Sequence, residues 1–282
     1  MGDFGLTSGD PDQSPDDLAH VVRTAEARVN QPLAAISLIL FFMVVWLPLG
    51  QHAFLTEHWM KVGAFIAPLV LFFGFKARNH KVTPWTGDIM LMACLFTAAY
   101  LLHQVEEHWI DLLGRTFPLH ETLNRLLASM FGPEAYGLLT KTGLFLINAG
   151  MVWLAGFLAI LMSPQRVFPA LAMAGLMFVN AIGHTVNAIV AYEYNSGLAT
   201  SIILFLPLSL LFFRTMLHRK QASVKLILLA IAWGFLGHVL LFGGLYATTL
   251  TAAFSIEGLY ALLFIWGALP TVVSLQSPTA KS

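Results

Sequence analysis

His103-Gln104-Val105-Glu106-Glu107-His108 closes an apolar run, and it is the part of this chain best equipped for chemistry. On a helix, residues three and four apart share a face. His103, Glu106 and Glu107 are therefore expected to project together, with Tyr100 one turn earlier and His108 off that face. Imidazole beside carboxylate suits Zn²⁺, Fe²⁺ or Mn²⁺. Of two neighbouring glutamates, one can ligate while the other shuttles a proton, because like charges push one pKa up. A second stripe, Asn180, His184 and Asn187, has the spacing i, i+4, i+7. Asparagines there could fix the histidine tautomer or bind substrate. Further candidates are His52, Glu57 and His58 in one polar stretch, His238 inside an apolar run, and Glu257 before another. The expected metal ligands are His103, Glu107, His184, Glu57, His108, His58 and His238. The expected catalytic groups are Glu106, Glu107, Asn180 and Asn187.

These groups matter because of their surroundings. The chain has 282 residues, 57% of them hydrophobic and 11% charged, and a mean hydropathy of +0.75. An ionisable side chain in hydrocarbon costs roughly 3 kcal/mol on insertion scales, so a cluster of them reads as a site. The composition predicts an all-α polytopic membrane bundle, since helices satisfy their own backbone in lipid. Lys+Arg and Asp+Glu balance at 15 each, which points to no nucleic-acid partner. Cys94 stands alone and offers neither a disulfide nor a thiolate metal site.

Spans need roughly 20 apolar residues. Eight are expected: Pro32–Leu49, Trp59–Phe75, Asp88–Trp109, Gly143–Met162, Val167–Tyr192, Gly197–Phe213, Leu226–Tyr246 and Phe254–Val273. With the N-terminus inside, 11 of the 15 basic residues fall on the cytoplasmic side, as the positive-inside rule requires. This places the His/Glu groups at the outer half of the bilayer and both termini in the cytoplasm, the expected location being a bacterial inner membrane. Residues 1–31 read as a polar, disordered leader that is retained, with a short surface helix from Asp17 to Val29. Residues 32–275 read as one transmembrane domain and 276–282 as a tail. Between the third and fourth spans, Leu119, Leu123, Leu126, Leu127, Met130 and Phe131 recur at helical spacing after Pro118 and before Gly132-Pro133. This predicts an amphipathic interfacial helix, with His120, Glu121, Asn124 and Arg125 on its polar face. It serves either as a packing element or as a lid or lipid gate over the site.

His103-x-x-Glu106-Glu107, Phe117-Pro118 with Asn124, and Asn180-x-x-x-His184 before Tyr194-Asn195-Ser196-Gly197 together resemble the HXXEE-domain bacterial membrane proteins. The resemblance covers residues 91–201. It departs at Ser196, where proline is expected, and in the greater length of the eight-span chain. It implies a metal-site protein without naming a reaction, and it carries over His103, Glu106, Glu107 and His184.

The functional expectation is a membrane enzyme dependent on a divalent metal, iron or zinc, acting on a lipophilic substrate such as a lipid, fatty-acyl, terpenoid or quinone-like molecule. The apparent supply of carboxylates leans toward a mono- or di-iron oxidoreductase. The alternatives are a zinc hydrolase with Glu106 or Glu107 as general base, a metal-free isomerase or cyclase working by proton transfer, a proton or metal transporter, and an accessory subunit without turnover. No dinucleotide or haem motif is visible, so an oxidative reaction would draw electrons from a redox partner.

Overall fold

The computed structural model describes residues 15–250 and 254–276, with side chains from Asn30 onward except those of Met130, Thr249 and Leu250. These residues fold into helices α1 (Pro15–Gly50), α2 (Ala53–Ala77), α3 (Ile89–His108), α4 (Pro118–Phe131), α5 (Lys141–Met162), α6 (Phe168–Ala191), α7 (Leu198–His218), α8 (Val224–Leu250) and α9 (Ile256–Gln276). No strand occurs among the described residues; a lone bridge pairs Ile110 with Thr116. All of these helices except α4 contain a stretch long and apolar enough to cross a membrane. The chain is a multi-pass membrane protein, and its spans fall within a few residues of those expected. The helix anticipated over 17–29 runs unbroken into the first span. Residues 1–14 and 277–282 lie outside the described residues.

Burial separates the helices into a centre and a periphery. In α3 and α5, 72% and 78% of the apolar window is buried, against 17% in α1. The helix that carries the His-Glu-Glu motif is thus at the heart of the bundle. Its start is fixed by Asp88, whose Oδ1 accepts from Leu91 N at 3.0 Å and whose Oδ2 accepts from Asn79 N at 2.6 Å. An Asp at this position satisfies donors that the first helical turn leaves free.

Two of the central helices carry π-helical segments. One is Asn148–Trp153 in α5 and the other is Ser201–Phe205 in α7. The first meets α3 through a closed polar chain: Trp153 Nε1 donates to Gln104 Oε1 (2.7 Å), Gln104 Nε2 to Asn148 Oδ1 (2.8 Å) and Asn148 Nδ2 to Leu144 O (2.9 Å). Every amide in that chain has its partner, so it locks the rotation of α3 against α5 without leaving a buried group unpaired. Such segments recur near functional sites because they re-aim neighbouring side chains.

The packing of α6 on α8 sets the shape of the interior. A Cβ placed on Gly175 would collide with the Ala230 backbone, and one on Gly234 would lie 2.8 Å from Gly175 O. The two backbones therefore touch, as small residues permit between membrane helices. Two turns further along α6, Gly183 has nothing within 4 Å of the same virtual atom. The helices meet at one level and part toward the end of the bundle where α3 finishes. Gly175→Val is expected to force that crossing open and to destabilise the protein by about 1–3 kcal/mol, as overpacking does. A thermal unfolding midpoint in detergent unchanged from wild type would contradict this crossing.

Candidate metal centre

Glu107 occupies the middle of the site. Its Oε1 lies 3.2 Å from His103 Nε2 and 3.1 Å from His184 Nε2, and its Oε2 lies 3.5 Å from His108 Nε2. Among the described residues, His103, Glu107 and His184 form the group whose candidate ligand atoms all lie within 4.8 Å of one another. His103 is wholly buried, and its Nε2 has no hydrogen-bond partner among the described residues.

The far side of each ring explains why the near side is poised. Asn195 Nδ2 donates to His184 O at 2.9 Å, which turns Asn195 Oδ1 toward His184 Nδ1 at 2.6 Å. That nitrogen must carry the proton. Thr200 Oγ1 donates its single proton to Glu106 Oε2 at 2.5 Å, so it accepts from His103 Nδ1 at 2.7 Å. In both neutral imidazoles the proton is on Nδ1 and the Nε2 lone pair faces Glu107. Two lone pairs and a carboxylate oxygen that converge without a proton repel one another. The arrangement is satisfied by a cation or by an added proton. Partners on the distal ring nitrogen are the ordinary means of presenting a metal-ligating histidine.

Glu106 does something else. It leaves the His103 face and accepts from Tyr194 Oη (2.5 Å), Ala199 N (3.1 Å), Thr200 N (2.8 Å) and Thr200 Oγ1. It thereby caps the first turn of α7, where free N–H groups and the helix dipole favour an anion. Its carboxylate is saturated with donors, so Glu106 holds the Asn195–Thr200 segment and, through Thr200, the tautomer of His103. The expectation that Glu106 joins His103 and Glu107 is corrected here: donors on the α7 turn outcompete the site for it. Ser196, the departure from the expected proline, donates to Glu106 O at 2.8 Å.

Gly197 closes the site. Its φ is +93°, a region costly for other residues. A Cβ there would sit 2.6 Å from His184 Cε1, 2.8 Å from His103 Cε1 and 3.0 Å from Glu107 Cγ. The segment that supplies both ring partners thus also lies directly on the three converging side chains.

The other expected members lie elsewhere. Glu57 is exposed and pairs with Lys141 at 3.7 Å. His58 packs its ring edge-on to Phe54 at 4.8 Å. His52 and Glu257 are exposed at the starts of α2 and α9. None of these belongs to the three-residue group; the start of α2 meets the end of α3 through Trp59, whose ring packs on His108, and not through its polar residues. His238 is half-buried, its Nδ1 bonded to Gly234 O at 2.8 Å, and it faces the cavity instead. His108 is buried between Glu107 and the Trp59 ring, 5.0 Å away. Asn180 lies beside the Tyr100 hydroxyl. Its Oδ1 is buried without a partner among the described residues. Asn187 is exposed on the same stripe. The residues that composition and spacing did not single out as ring partners are Asn195 and Thr200. Their signal was the turn motif around Gly197, legible as a turn but not as the support of two imidazoles.

A cavity of about 750 Å³ opens beside the cluster, in the space left where α6 and α8 part. Glu107, His108 and His184 lie at its wall, and the remainder is mostly aliphatic side chain. Its roof is α4, through Leu119, Leu123, Leu126 and Leu127. Asn124, expected on the polar face of α4, is buried. Its Nδ2 donates to Leu139 O (2.9 Å) and its Oδ1 accepts from Gly137 N and Leu139 N (both 3.2 Å). The helix is therefore a packing element and a cavity wall at once.

Residues 94–212 match the family model described as a protein of unknown function with HXXEE motif. That stretch, less than half of the chain, is similar to the HXXEE family. No curated protein and no solved structure matches the chain. The matched segment contains the three converging residues, Glu106, both ring partners and most of the cavity wall, to which α8, outside it, adds Phe235, Gly237, His238, Leu241, Phe242 and Leu245.

A loop outside the spans steadies Tyr194. Arg115 stacks over its ring at 5.6 Å, and Leu112 N approaches its hydroxyl at 3.4 Å. Burial and the Glu106 carboxylate push the Tyr194 hydroxyl well above its ordinary value, so it remains a donor. Within that loop, burial opposes ionisation of Asp111. Donors from Arg115 N, Arg115 Nε and Leu113 N outweigh it and hold the carboxyl below the usual 3.8. The contribution is therefore full above 3.8 and is lost as pH falls through the lower, folded value. Hydrogen exchange at the Leu113 and Arg115 amides should accelerate, beyond the intrinsic rate, below about pH 4, in the range where the unfolded carboxyl titrates. Protection constant down to strong acid would contradict it. At the site itself, Gly197→Ala must displace His103 or His184 and adopt a strained φ. A loss of about 1–3 kcal/mol is expected, read as a lowered unfolding midpoint. An unchanged midpoint would refute the close contact.

Proposed function

We propose that this protein is an integral membrane metalloenzyme that acts on a lipophilic substrate at the outer half of the bilayer, both termini being cytoplasmic. The observation that carries the reading is the convergence of two Nε2 lone pairs and Glu107 Oε1 at the wall of a large apolar cavity. His103, His184 and Glu107 would hold the metal. Two histidines and one carboxylate is a set used by mononuclear non-haem iron oxygenases and also by zinc hydrolases. In either case the metal supplies an open position for a substrate, water or dioxygen.

The residues favour one mononuclear site. Glu106 is engaged on α7 and Glu57 with Lys141, so the carboxylate surplus expected of a di-iron centre does not reach the cluster. The same fact weakens the hydrolase reading, because Glu107 is the one carboxylate at the cavity wall among the described residues and it is a ligand here. An iron oxidoreductase, fed by a redox partner, is accordingly the leading form. In this account Asn195 and Thr200 orient the rings, Gly197 and α7 exclude water, and the cavity holds the substrate's hydrocarbon part.

A second reading rests on the 3.1 Å spacing of His184 Nε2 and Glu107 Oε1, which is hydrogen-bond geometry. With one added proton the same trio becomes an acid for isomerisation or cyclisation of a terpenoid-like substrate. Elemental analysis of detergent-purified protein separates the two. The metalloenzyme reading predicts about one iron or zinc per chain, lost in His103→Ala, His184→Ala and Glu107→Gln. Thr200→Val, which removes the partner of His103, should weaken metal binding roughly 10–100-fold. Protein free of transition metal after expression in metal-replete medium, or full occupancy in His103→Ala, would overturn it.

A further inference from the structure

The proposed reaction leaves the substrate class open, and the cavity wall narrows it. Three kinds of polar group reach that wall: the Glu107 carboxylate, imidazoles from His108, His184 and His238, and neutral hydrogen-bonding side chains such as Asn180 and Asn187. No Lys or Arg side chain lines it. Placed beside Asn180 and away from the three converging atoms, whose shared cation or proton is already held by Glu107, a phosphate, sulfate or carboxylate head group would give up its water with no Lys or Arg side chain to compensate. Such desolvation is prohibitive for an unpaired charge. An ammonium head would meet Glu107 already committed to His103, His184 and whatever cation or proton they share. A neutral head carries neither penalty. It also answers a specific vacancy among the protein's own bonds: Asn180, one turn from His184 on the same face of α6, has an acceptor oxygen with no donor.

The volume and the walls bear on the rest of the molecule. About 750 Å³ lies within the range, roughly 300–1,000 Å³, of sites that enclose small molecules. The cavity is bounded by the aliphatic face of α4 and by the separated stretches of α6 and α8. Ile182, Val186 and Val190 of α6 line it and are also exposed at the surface of the helix. The space therefore communicates with the apolar flank of the bundle, where a hydrocarbon chain can pass without crossing water.

We infer that the cavity takes a single-chain amphiphile with an uncharged, hydrogen-bond-donating head, of the long-chain alcohol or primary amide class, its head beside Asn180 and His184 and its chain under α4. This rests on the proposed function for its claim that the bound molecule is the substrate.

The test uses full-length protein in nanodiscs, with radiolabelled hexadecanol as the probe and metal content measured on the same samples. Unlabelled hexadecanol and hexadecanamide should each displace the probe at least tenfold better than hexadecyl phosphate or hexadecylammonium. Gly183→Leu places a side chain in the open space of the cavity. It should weaken hexadecanol binding at least tenfold with metal content unchanged. Charged competitors that displace the probe as well as neutral ones overturn the inference, as does binding indifferent to Gly183→Leu. Selective hexadecanol binding by metal-free protein upholds the cavity's preference and refutes the metalloenzyme. Full metal with no head-group selectivity refutes this inference and leaves the metal centre standing.

Discussion

Glu107 Oε1 faces two imidazole nitrogens whose protons have been drawn to the opposite side of each ring. That electrostatic conflict is the constraint around which this end of the bundle is organised. An isolated buried carboxylate is costly, and so is a buried lone pair with no donor. The protein nevertheless assembles three such atoms and then commits further residues to keep them aimed. Asn195 holds one ring, Thr200 the other, and Glu106 holds Thr200. Gly197 is the residue that allows the supporting segment to lie on the cluster at all.

Much of the fold serves that segment. The central position of α3 buries the motif, and the closed amide chain through Gln104 and Asn148 prevents α3 from rotating. The glycine contact between α6 and α8 joins those helices at one level, so that they part at another. His184 lies on the diverging stretch of α6. The site and the cavity therefore arise from one packing decision rather than two. The polar cluster sits where apolar volume is available, which is the juxtaposition a lipophilic substrate requires.

The sequence made the eight spans legible because each is a long apolar run, and helices in lipid have few alternatives. α4 was legible through its leucine spacing and its proline and glycine boundaries. His103, Glu107 and His184 were legible by type and depth. Glu106 was misassigned, because helical spacing shows which residues share a face but not which neighbouring element competes for them. Four donors on the α7 turn decided its orientation, and they come from residues 88–94 positions away. Asn124 was placed on a polar face for the same reason, since its partners at Gly137 and Leu139 lie beyond the end of its own helix. Glu57, His58 and His238 shared a side of the membrane with the cluster, but a side is a broad region and convergence is local. Asn195 was read only as part of a turn and Thr200 escaped notice, because neutral residues near a turn carry no titratable signature.

The central claim is that His103, His184 and Glu107 share one metal ion through their facing atoms. X-ray absorption at the metal edge of the purified, full-length protein addresses it most directly. Shared ligation should give two imidazole nitrogens and at least one carboxylate oxygen at about 2.0–2.2 Å. A metal edge that shows no imidazole scattering, or a protein that carries no metal to measure, would contradict it.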